Sequence, residues 1–158
     1  MSASELLVSD YVLQDWQAAV RTREPRALEL AYALALTLPV AEATATLRAT
    51  TRVAEEATPF EISNDVRETL EYAMEKYDAL TRGNFERVEL GNPNVLGFER
   101  IVRDEKLLLV NNLARVSQPI KFQNYAGREG WDILNRVEFI FPTRAQLEAY
   151  EFLWLMVE

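Results

Sequence analysis

Residues 95–115, VLGFERIVRDEKLLLVNNLAR, place two strand-like apolar runs on either side of a short charged turn. In the first run Val95, Gly97 and Glu99 share one side, while Leu96, Phe98 and Arg100 share the other. In the second, Leu107, Leu108, Leu109 and Val110 are apolar without a break. An uninterrupted run of this length is the mark of a central strand buried on both faces. Between the two, Arg103, Asp104 and Glu105 are too polar to bury and turn the chain. The stretch is expected to form a β-hairpin, and the rest of the fold is read outward from it.

Further strand-like runs fall at residues 85–90, 119–122, 131–134, 137–141 and 150–157. Turn signals separate them: Gly91-Asn92-Pro93-Asn94, Ser117-Gln118, Gly127 with Gly130, and Pro142-Thr143. Short strands at this spacing predict an antiparallel β-sandwich.

Upstream of the hairpin the period is helical. Ser2 and Glu5 have capping-box spacing, and Leu6, Val12, Leu13, Trp16, Ala19 and Val20 follow at helical intervals. That helix is expected to stop within residues 21–24, because Pro25 suits the first position of a new one. Ala27, Leu28, Leu30, Ala31, Leu34, Ala35 and Leu38 are apolar nearly all round, as in a helix buried on most sides. Pro39 interrupts it; residues 40–57 suit a weak helix or irregular structure, and residues 58–62 read as a connector. Ser63, Asn64 and Asp65 are capping candidates for a helix with Val66, Leu70, Ala73, Tyr77 and Leu80 on one stripe and Gly83 as its stop. The fold class expected is therefore α+β, with N-terminal helices packed on a C-terminal antiparallel β-sandwich. Residues 1–62 form a helical segment, and residues 63–158 a helix plus the sandwich.

Composition narrows the function. With 158 residues the chain can bury a core without cross-links. It has no cysteine, so disulfides and thiolate metal sites are excluded. It also has no histidine, which removes the usual proton shuttle near neutral pH and the commonest metal ligand. A net charge of -8 with a pI near 4.7 repels phosphate backbones and anionic lipid, so neither nucleic acid nor membrane is an expected partner. MSASELLVSD has no basic leader pattern, and the apolar stretch at residues 27–40 is too short to span a bilayer. A soluble, cytoplasmic protein without a cofactor is expected.

The order Gly83-Asn84-Phe85, NPNVLGFER, LLLVNNLAR with Gln118-Pro119-Ile120, GWDILN and LEAYEFLWLMVE resembles the C-terminal β-sandwich of α-amylase-type glycoside hydrolases. Among these, trehalose synthase-like enzymes are the nearest version. LAYALALTLP, residues 30–39, is similar to the helix before the eighth barrel strand in that family. The glycine, proline, tyrosine-glycine and glutamate signature that follows there is not supplied by residues 40–57. Residues 2–57 are then a degenerate remnant of the barrel's end or a helical cap in its place. The resemblance implies catalytic carboxylates on barrel strands outside the matched motifs, so no catalytic residue is carried over. The expected role is a non-catalytic module, structural or for protein interaction. An α-glucan-binding module is the alternative, and an enzyme of unrelated chemistry is a weaker one.

Three carboxylate pairs, Glu55 with Glu56, Glu68 with Glu71 and Asp104 with Glu105, lie in charged segments where nothing raises a pKa for acid catalysis. Tyr125 and Trp131 flank the polar, glycine-containing loop at residues 126–130 and are the candidates for carbohydrate binding. Asn111 and Asn112 are expected to satisfy backbone groups at a strand end. Leu28, Leu30, Leu34 and Leu38 need cover. Either the chain's own helices fold over the sandwich, or these leucines meet a second copy or a carbohydrate-active enzyme partner.

Overall fold

The computed structural model describes residues 8–158. Among the described residues five α-helices come first: α1 (Asp10–Arg21), α2 (Pro25–Thr37), α3 (Ala45–Glu61), α4 (Asn64–Lys76) and the short α5 (Ala79–Arg82). Eight strands follow: β1 (Asn84–Val88), β2 (Val95–Val102), β3 (Glu105–Asn112), β4 (Gln118–Lys121), β5 (Glu129–Asp132), β6 (Val137–Ile140), β7 (Arg144–Leu147) and β8 (Phe152–Val157). Six strands form one antiparallel sheet in the order β1-β2-β3-β8-β5-β6, and β4 pairs with β7 in a small second sheet. The expected α+β class, helices on an antiparallel β-sandwich, is what forms.

The hairpin is at the centre. Val102 pairs with Glu105, leaving Arg103 and Asp104 as a two-residue turn, and Arg103 takes φ 53°, the left-handed backbone that a tight hairpin turn requires. β3 is held by β2 on one side and β8 on the other. Its four apolar residues divide between two cores: Leu107 and Leu109 pack among the helices, Leu108 and Val110 against the small sheet. On β2, Leu96 and Phe98 join the helical side and Val95 the opposite one, as the alternation requires.

Local chemistry explains the helix ends. The Ser9 hydroxyl accepts from the Val12 N–H and caps α1, while the Ser2–Glu5 capping box lies outside the described residues. Pro25 opens α2, and the Glu24 carboxylate accepts from the Ala27 N–H at 2.7 Å. α2 is buried along most of its length, and the Trp16 indole of α1 donates to the Ala27 carbonyl at 3.3 Å. Ser63 is the residue that caps α4.

The structure departs from expectation in several places. The segment at residues 58–62 is not a connector, because α3 continues to Glu61. The α4 helix ends at Lys76 instead of running to Gly83. The Glu105 carboxylate accepts the Ala79 N–H at 2.8 Å, so α5 starts afresh against the sheet. Strand β7, Arg-Ala-Gln-Leu, is an added element; its apolar residues are only Ala145 and buried Leu147, too short a run to stand out as a strand.

One hydrophobic cluster runs from Val8 and Trp16 through α2 to Phe98, Leu109 and Trp154, so helices and sheet share a core. Leu28, Leu30, Leu34 and Leu38 are at most 8% exposed within it. Their own chain covers them; they are core residues and not a free surface for a partner. No described helix is long and apolar enough to cross a membrane.

Candidate functional site

Tyr125 sits in the turn after β4, with its ring stacked on Phe141 at 5.6 Å and only 7% exposed. Its hydroxyl donates to the Glu99 carboxylate, and Lys106 Nζ lies 3.2 Å from the same carboxylate. The Lys106 ammonium also lies over the Tyr125 ring, 5.6 Å from its centre. Glu99 is buried on the β2 face that carries Val95 and Gly97. A buried carboxylate needs such partners, since an unpaired one would be costly. Burial, then the hydrogen bond and charge of Glu99, push the Tyr125 hydroxyl far above the usual tyrosine range.

A cleft of about 410 Å³ opens above this network. Glu86, Lys106, Gln123, Asn124 and Arg128 contribute to its walls, with Tyr125 and Phe122 beneath. Glu86 pairs directly across from Glu99 between β1 and β2, which brings two carboxylates to one face. Lys106 offsets that like-charge juxtaposition.

Trp131 is elsewhere. It lies on β5, half-buried against the helical core, whereas Tyr125 belongs to the core on the other face of the sheet. The two aromatics expected to bind sugar therefore share no surface. Glu55, Glu56, Glu68 and Glu71 are exposed helix residues, and Glu105 holds the start of α5. Asn111 donates to the Leu96 carbonyl, and Asn112 donates to the Val116 and Glu148 carbonyls, serving the backbone as expected.

Glu99 and Lys106 were missed as site residues. The signal was present: Glu99 is a charge on the inward side of the strand VLGFER, where only a partnered carboxylate can sit. Glu86, Asn124 and Arg128 had no signal, because pairing between distant segments brings them together.

Residues 85–154 match the family model of the maltogenic amylase C-terminal domain. The strand half of this chain resembles the C-terminal domain of α-amylase-type enzymes. Alpha-amylase 3 of Dictyoglomus thermophilum is 33% identical over 70 residues, which are 44% of this chain and 14% of that enzyme. An Anoxybacillus α-amylase shares the fold with a TM-score of 0.58 at 15% identity, over 84% of this chain and 32% of its own. That coverage exceeds what the strands alone supply, so the likeness in fold to this amylase reaches into the helices. Trehalulose synthase MutB of Pseudomonas mesoacidophila MX-45 shares it with a TM-score of 0.50 at 14% identity, over 59% of this chain and 17% of its own. The chain thus spans about a seventh of the amylase that it matches in sequence.

Proposed function

We propose that this chain serves an α-amylase-type enzyme as a non-catalytic C-terminal module, packing against and stabilising a catalytic unit. The observation that carries the reading is the confinement of the family match to residues 85–154, a C-terminal domain. The carboxylate pairs singled out above support it, since they are solvated or hold backbone groups. Retaining glycoside hydrolysis needs two carboxyl groups about 5 to 5.5 Å apart across the scissile bond, one of them a proton donor with a raised pKa. The test is turnover of maltose, trehalose and starch by the purified chain. None is expected, and measurable release of reducing sugar would overturn the proposal.

A second reading, α-glucan binding, is favoured by the polar cleft above Glu99 and Tyr125. It is compatible with the first, because binding needs no turnover.

A further inference from the structure

The geometry points to a binding site for a neutral polyhydroxylated ligand, of mono- or disaccharide size, in the cleft between the β1–β3 ladder and the turn at Gln123–Tyr125. This inference rests on the α-glucan reading and gives it a place and a mode. A volume of about 410 Å³ falls in the range of small-molecule sites.

Three carboxylates, Glu86, Glu89 and Glu99, and three cations, Arg87, Lys106 and Arg128, line the cleft, so its formal charge sums to zero. Arg87 pairs with Glu89 at 3.1 Å, Lys106 with Glu99 at 3.2 Å, and Arg128 donates to the Glu158 carbonyl at 2.8 Å. An anionic ligand would meet the Glu86 and Glu99 carboxylates. Sugar hydroxyls both donate and accept. Carboxylate acceptors at Glu86 and Glu99 stand beside donors at Lys106, Asn124 and Arg128, the mixture that vicinal hydroxyls require.

Stacking is excluded as the mode. The Tyr125 ring is 7% exposed, packed on Phe141 and covered by the Lys106 ammonium, so no face is open to a pyranose. The ligand is held edge-on by hydrogen bonds. Tyr125 acts through Glu99, as a positioning residue that fixes the carboxylate with its hydroxyl.

The test is calorimetric and NMR titration of the whole chain with maltose, glucose and sorbitol, with inorganic phosphate as the anionic probe. Saturable maltose binding is expected. Glu86→Gln and Asn124→Ala, both at exposed positions, should weaken it about tenfold, the scale of one lost hydrogen bond. Trp131→Ala, on the other face, should leave affinity unchanged. Tyr125→Phe removes only the hydroxyl and should weaken binding while keeping the ring; unchanged affinity would remove its positioning role. Three outcomes overturn the site: no saturable shift with any of the three hydroxylated probes, preference for phosphate, or loss on Trp131→Ala with Glu86→Gln neutral. None of them touches the non-catalytic module, which turnover alone tests.

Discussion

Arg100 is 4% exposed where sheet and helices meet, and carbonyls receive its guanidinium. It donates to Thr37 O at 2.6 Å, at the C-terminal end of α2, and twice to Gly83 O, at 3.2 and 3.0 Å. A cation at a helix C-terminus is favoured by the helix dipole, while burial lowers its pKa from the usual arginine range. Replacement by methionine keeps the apolar stem and strands both carbonyls. Arg100→Met should destabilise the fold by about 1 to 3 kcal/mol, read from the urea midpoint. Gly83 lets the end of α5 pass close against the β2 backbone, since a Cβ there would lie 2.5 Å from Ala79 O and 2.8 Å from Ile101 N.

Tyrosines carry a pH dependence at the same scale. Burial first, then nearby carboxylates, raise the pKa of Tyr32, Tyr125 and Tyr150. Their ionised forms are disfavoured in the fold, so the unfolded chain loses these protons first, near pH 10. The stability they contribute is complete below about pH 10 and is lost as pH rises toward the folded values. Urea midpoints should fall above about pH 10, with part of the phenolate absorbance appearing only as the chain unfolds. Titration of Tyr32, Tyr125 and Tyr150 at the ordinary tyrosine value in the folded protein would contradict this.

Among the elements, β3 bears the most. Because it divides its side chains between two cores, neither face is the tolerant one. Leu109→Ala opens space beneath the helices and Leu108→Ala opens it beneath the small sheet. Each should cost about 2 to 5 kcal/mol in chemical unfolding, the usual range for a fully buried leucine. A mild effect from either would mean that one face is effectively open. The apolar run at residues 107–110 made this element legible. β7 was not legible, since its partner β4 and the core behind them supply the reason for its being a strand. The break at Tyr77 and Asp78 was hidden for a similar reason, because the carboxylate that starts α5 comes from Glu105 on a distant strand.

For the whole molecule, the shared core predicts interdependence. Removing residues 1–62 would uncover the helix-facing side of Leu96, Phe98, Leu107, Leu109 and Trp154, an apolar patch too large to leave in water. The truncated chain is expected to aggregate or lose its cooperative unfolding transition, measured by light scattering and thermal melts. A soluble, well-folded monomer would show that the strands close a core of their own.

What the sequence determined by itself was periodic: the helices α1, α2 and α4, the central hairpin, the two-sided burial of β3 and the resemblance to an amylase C-terminal domain. Alternation and helical spacing are local, so they can be read along the chain. Tertiary structure alone decided which surfaces meet. It put Leu28, Leu30, Leu34 and Leu38 inside their own chain, set Tyr125 and Trp131 on opposite faces, and brought Glu86, Glu99, Lys106 and Asn124 to one cleft. Those meetings depend on strand order and register between residues far apart in the chain, which single-sequence periodicity does not encode.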